Sequence, residues 1–295
     1  DSEQFELRAD YELIQNWFMD QGWGDGLPIV PPTLDRVERM LQGTSMPPDH
    51  IVGEIPPNYG SATVERVAIN SVMAGCLPEY LPVVLAAVEA ISDPAFNLYG
   101  IQATTHSCAP LVIVNGPIRE SLGMNSSSGA YGPGWRSNAT IGRAVRLVLL
   151  NIGGGYPGTG DMSTQGAPSK YTYCIAENEE ANPWLPLHVE RGFQKDESTV
   201  TVLAGEPPHN INDHSGRSAE DILTLVAGAM AVTGANNAYT GGQTLLALGP
   251  EHANTISIDG FDKLAISQWL SKPARVPLER YTHDTLMERF GRIPD

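Results

Sequence analysis

Asn97–Arg119 reads N-L-Y-G-I-Q-A-T-T-H-S-C-A-P-L-V-I-V-N-G-P-I-R. Within it, Leu111–Val114 is a short continuous apolar run, the pattern of a buried strand. Gly116-Pro117 then opens a short helix, since proline's fixed φ suits the first helical position and its missing N–H costs nothing there. Ahead of the strand, a polar loop carries His106 and Cys108. A similar stretch, N-A-Y-T-G-G-Q-T-L-L-A-L-G-P-E-H, runs from Asn237 to His252. Both contain Asn-x-Tyr, Gly, Gln, an apolar segment and Gly-Pro, and both follow an apolar helix, Glu79–Ile91 and Ala219–Val232. With Gly116 set against Gly249, the first copy holds about eight extra residues, on the segment with His106 and Cys108.

The expected fold is therefore α/β: two related halves from an internal duplication, with mixed or parallel sheets covered by helices. Leu111–Val114 and Leu245–Leu248 would occupy equivalent places, and the site would lie in the cleft between the halves. The expected divisions are 1–60 (N-terminal helix and Gly/Pro-rich connector), 61–160 and 161–260 (the halves), and 261–295 (C-terminal helix and tail). Further helices are predicted at Phe5–Gln21, Leu34–Leu41, Ala62–Gly75, Ile141–Leu150 and Phe261–Ser271, with Asn138 or Thr140 capping the fourth. Further strands are predicted at Ile51–Ile55, Tyr171–Ala176 and Thr199–Ala204.

The 295 residues are 41% hydrophobic, enough for a large core. A net charge of −16 repels phosphate backbones and argues against nucleic-acid binding. No apolar run reaches membrane-spanning length. Three cysteines without a framework spacing fit a reducing, cytoplasmic setting. The glycine run at Gly153–Gly155 matches neither nucleotide-binding fingerprint, and no G-x-S-x-G marks a serine hydrolase.

Polar clusters at the ends of predicted strands point to a small-molecule enzyme. The candidate catalytic residues are Cys76, His106, Cys108 and His209. Cys76 sits where a second helix starts, a position that lowers a thiol's pKa. Arg119, Arg143, Asn115 and His252 are the candidate groups for an anionic substrate, near helix N-termini that favour negative charge. His188 and Glu190 fall on one face of an extended chain and, with Asp213 and His214, could bind a transition metal. Cys76, Cys108 and Cys174 could instead hold an iron–sulfur cluster, although their wide spacing is atypical. Redox or elimination chemistry on an anionic small molecule is the leading expectation. A metal-dependent hydrolase and a non-catalytic subunit supporting a redox partner are the alternatives.

Several phrases together carry a resemblance: W-G-D-G-L-P-I-V-P-P-T, A-I-N-S-V-M-A-G-C-L-P-E-Y-L-P-V-V-L-A-A-V-E-A, Q-A-T-T-H, L-V-I-V-N-G-P-I-R, N-A-T-I-G-R-A and H-V-E-R-G-F. The chain resembles the bacterial UGSC-family (seleno)proteins, or the domain that accompanies that motif, over nearly its whole length. The resemblance implies redox chemistry at a selenocysteine-Gly-Ser-Cys motif. This sequence has no Cys-Gly-Ser-Cys, so the named redox motif is absent; if that motif belongs to a partner chain, this protein would be the substrate-binding or catalytic subunit of a complex. The expected partners are a small-molecule substrate and either further copies of the chain or a redox subunit.

Overall fold

The computed structural model describes residues 3–240 and 242–291. The chain forms two compact units, one of residues 1–178 and 186–208, the other of residues 179–185 and 209–295. Each is described by itself.

The first unit opens with helices α1 (Tyr11–Asp20) and α2 (Leu34–Leu41). Asp10 caps α1 by accepting from the Leu13 amide, the usual work of an acidic N-cap. An antiparallel pair follows, β1 (Ile51–Ile55) with β2 (Gly60–Thr63). Helices α3 (Val64–Ala74), α4 (Leu81–Ser92) and α5 (Leu98–Ala103) then lead into strand β3 (Ala109–Asn115). Beyond it lie α6 (Ile118–Ser121), α7 (Arg136–Asn151), β4 (Cys174–Ala176), α8 (Leu187–Glu190) and β5 (Thr199–Gly205).

Strand β3 is the centre of a three-stranded mixed sheet, parallel to β4 on one side and antiparallel to β5 on the other. All seven of its residues are buried. Alternation sorts them by face. Val112 and Val114 join Val67, Leu81, Val84, Ile141 and Leu149 in the helical core. Ala109, Leu111 and Ile113 pack on the opposite face with Tyr173 and Ile175. This two-sided burial explains why β3 reads as an unbroken apolar run rather than as an alternating one.

The second unit holds α9 (Ala219–Met230), α10 (Asn236–Thr240), α11 (Pro250–Ile258), α12 (Lys263–Leu270) and α13 (His283–Phe290). Ser218 and Asp221 form a reciprocal capping box at the start of α9. Leu223, Val226, Ile256, Ile266 and Leu270 make its core. Among the described residues this unit contains no strand.

The mixed α/β class, with small sheets packed on helices, is as expected. The equivalence of Leu111–Val114 with Leu245–Leu248 is not: residues 242–249 take no regular structure, and Leu245 is exposed. An apolar run becomes a strand when a neighbour satisfies its backbone. Residues 111–114 have one on each side, whereas no described strand pairs with residues 245–248. The cleft site inferred from that equivalence lapses with it.

Three local readings also change. Helix α7 begins at Arg136, so Asn138 lies inside it and does not cap it. The buried Asn138 side chain instead accepts from the Asn125 amide at 2.8 Å and donates to its carbonyl at 2.9 Å. Ala62 and Thr63 belong to β2, with Thr63 capping α3. His188 and Glu190 lie in the helical turn α8 and not on an extended chain, so their i, i+2 spacing puts them on different faces.

No single described helix is long and apolar enough to cross a membrane. A bent pair, Pro78–Ser92 with Pro94–Ala103, passes by length and composition, but Leu81, Val84, Val88 and Ile91 are spent on the core.

The Gly116 turn that ends β3 has φ +82°, and a Cβ there would meet the Glu197 carbonyl and lie 2.8 Å from Ser198 Cα. Gly116→Ala combines left-handed strain with backbone overlap, so it should destabilise the fold by about 2–4 kcal/mol. Urea denaturation checks this, and an unchanged midpoint would contradict the turn's role.

Candidate functional site

A site takes shape where β3 begins. Ala109 pairs with Gly205, so the ladder places the residues just before β3 beside those just after β5. His106 and Glu206 meet there, with Nδ1 2.7 Å from Oε1. In the neutral imidazole this contact assigns the proton to Nδ1 and leaves Nε2 as an acceptor. Glu206 is held in turn through its carbonyl, which accepts from the Tyr173 hydroxyl at 3.0 Å. Burial pushes that phenol up to about 12, so it remains a donor at neutral pH.

Cys108 lies two residues after His106, half-buried, its thiol directed at the Ile101 carbonyl 3.6 Å away. Desolvation raises its pKa above the ordinary 9.0, Lys170 lowers it, and Glu206 and Asp161 raise it. The resting group is a thiol.

Beneath this lies a buried chain of charge. Asp161 Oδ2 is 2.6 Å from Lys170 Nζ and 3.6 Å from Arg146 Nη1, and the three side chains are 6%, 13% and 8% exposed. Arg146 comes from α7. Asp161 and Lys170 come from the segment joining α7 to β4, whose Met162 and Thr164 amides donate to the Gln102 and Thr105 carbonyls. Burial depresses the Arg146 pKa, offset by Asp161. Two cations share one carboxylate, so the triad itself is net positive, while the nearby Glu206 carboxylate opposes its effect on the thiol.

Of the residues singled out from sequence, this arrangement brings together His106 and Cys108. Glu206, Asp161, Lys170 and Arg146 complete it. Glu206 follows the predicted strand Thr199–Ala204, at one of the strand ends where polar clusters are expected, whereas the segment from 156 to 170 offers only isolated charges among glycines.

The other candidates lie elsewhere. Cys76 is buried, donates to the Thr140 carbonyl at 3.3 Å, and is pushed up to about 12 by burial, which outweighs Arg136 and Arg143. The expected activation by a helix start is overruled. Cys174 is also buried, with its thiol pKa raised for the same reason. Arg143 grips Asp25 through two bonds, of 2.7 and 2.9 Å, and reaches the Pro28 carbonyl at 3.0 Å, tying the Gly/Pro-rich connector to α7. Buried Arg119 donates to the carbonyls of Gly116 and Glu177, and buried Asn115 donates to the Glu177 carboxylate.

His188 is buried under α8, its Nε2 3.5 Å from the Lys195 carbonyl. In the second unit His209 and His214 are exposed. There His252 Nε2 lies 3.6 Å from Asp213 Oδ2. The Gly216 and Ser215 amides hold the Asp213 pKa down, with His252 and His214 adding to the effect. Among the described residues, no three His, Cys, Asp or Glu side chains gather into a group that could hold a metal ion. The expected metal and cluster sets are therefore not assembled. Two open surface concavities, about 380 and 500 Å³, are lined mainly by residues in and beside β1, α4 and α1 and contain none of these candidates.

Two outcomes follow from the geometry. Asp161→Asn strips two buried cations of their carboxylate and should cost about 3–5 kcal/mol, read by urea denaturation. Native alkylation should label Cys108 alone, with a rate still climbing above pH 9, and Cys76 and Cys174 should react only after unfolding. Peptide mapping checks the order, and equal labelling of all three would contradict it.

No protein-family model matches the chain, and neither a curated protein nor a solved structure matches it.

Proposed function

We propose that the chain is a small-molecule enzyme of oxidoreductase or lyase type that works on an anionic substrate at Cys108. One observation carries the reading. The least buried of the three cysteines lies within electrostatic reach of Lys170 and Arg146, and next to a histidine already oriented by a carboxylate. Thiol chemistry needs a proton acceptor and a field that stabilises the thiolate. His106 supplies the first through Nε2, and the Arg146–Asp161–Lys170 triad supplies the second. The same positive potential favours a carboxylate- or phosphate-bearing ligand, and partial burial strengthens it. In the redox version, a partner chain would carry the second redox group.

We also propose that α4–α6 and α9–α11 descend from one duplicated unit. Each runs as a long helix, a short helix, an apolar segment and a Gly-Pro helix start. Only the first apolar segment has found strand partners.

Paired alkylation tests the enzymatic reading. Iodoacetate and iodoacetamide are compared at Cys108, each rate divided by that of a free thiol. The anionic reagent should be favoured about tenfold, and Lys170→Met should abolish the preference while slowing both reagents, because loss of the cation raises the thiol pKa further. A preference for the neutral reagent in the unmodified protein would remove the reading.

A further inference from the structure

The backbone groups of β3 divide cleanly between its neighbours. The Val112 amide donates to the Tyr173 carbonyl, and the Val114 carbonyl accepts from the Glu177 amide. Both groups of one strand residue point to the same edge, so Val112 and Val114 face β4, and Leu111 and Ile113 face β5. Their partners across the antiparallel ladder are Leu203 and Thr201. The intervening residues of β5, namely Val200, Val202 and Ala204, therefore turn their N–H and C=O groups outward. No hydrogen bond from a described residue reaches those groups.

This edge lacks the usual protection. T-V-T-V-L-A-G has no charge, no proline and no bulge, and its register with β3 is unbroken over seven residues. Natural edges of this length are ordinarily blunted by lysine, proline or a covering element. Where water is excluded such a group demands a partner, and where water reaches it the row remains a template for another strand.

We propose that β5 pairs antiparallel with β5 of a second copy, about a two-fold axis through Val202. In that register Val202 faces Val202, and Val200 faces Ala204 twice. These are the residues whose groups point outward, so about six backbone hydrogen bonds form and none is left over along the strand. The two three-stranded sheets become one continuous sheet. Symmetry argues for a copy as the occupant, since the outward groups at 200, 202 and 204 are self-complementary about Val202, and charge does not oppose that register locally. In this register Glu206 meets Ser198, Glu197 meets Pro207 and Asp196 meets Pro208, so no acidic residue at either end of the strand faces another. A closed two-fold contact also ends the exposed edge without propagating.

Sedimentation equilibrium of the full chain tests this from about 1 to 200 µM. The mass should reach twice that of the chain, and association should strengthen with salt, because two copies of net charge −16 repel at long range. Ala204 is exposed and its N–H points outward, so Ala204→Pro removes an edge donor without breaking a bond to β3. It should weaken association about tenfold or more with the circular dichroism spectrum unchanged. Ala204→Lys, which keeps the N–H and adds an edge charge, gives the same readout should the proline variant fold poorly. In the associated protein the Val202 amide should be protected from hydrogen exchange. A chain monomeric across the range, a dimer unaffected by either variant, or an edge occupied only by an unrelated extended peptide would overturn the proposal.

Discussion

The described fold of the first unit depends on one constraint, that a strand buried on both faces must satisfy its backbone on both edges. Strand β3 has no solvent to fall back on. Its amides and carbonyls are met by β4 on one side and β5 on the other. An unpaired buried backbone group costs about 1–3 kcal/mol, so losing either neighbour would cost more than a domain of ordinary marginal stability can spare. The helices α3, α4 and α7 then need only cover one face, which they do with side chains of nearly zero exposure.

The same constraint places the chemistry. Because β3 and β5 run antiparallel in fixed register, the chain entering β3 and the chain leaving β5 must be neighbours. His106 and Glu206 are a hundred residues apart and meet at 2.7 Å for that reason. Cys108 is carried along, one residue short of the strand, where burial is only half complete. Asp161 and Lys170 arrive by a separate route, through a segment laced to the end of α5. The burial of their charges is costly, since removing ions from water commonly outweighs what pairing returns.

What the sequence made legible follows the same division between local and non-local causes. Leu111–Val114 could be read because an uninterrupted apolar run has few uses other than a doubly buried strand, and Gly116-Pro117 because a left-handed turn and a helix start are local demands. Leu245–Leu248 carries nearly the same local signal and forms no strand, since strandhood lies in the partner and not in the residue. Cys76 was misjudged for the opposite reason. Its place before a helix is a local fact, but the pKa is set by burial in the helical core, which outweighs the Thr140 hydrogen bond that lowers it. Asp161 and Lys170 have no local signature, and Glu206 has only its place at a polar strand end. Each is an ordinary charge until register and loop packing deliver it.

Arg143 and Arg146 show how small the deciding difference is. They lie three residues apart on α7, and composition cannot tell them apart. Arg143 finds Asp25 and two backbone carbonyls, and its charge and donors are consumed in fastening the connector to the helix. Among the described residues Arg146 has Asp161 as its one acidic partner, which Lys170 already holds at 2.6 Å, so the triad has one more cation than carboxylates. A matched pair projects little field beyond its own dimensions, whereas an unmatched charge in a desolvated site acts over several ångströms. The first arginine therefore fixes structure, while the second lies in a buried triad within electrostatic reach of the Cys108 thiol.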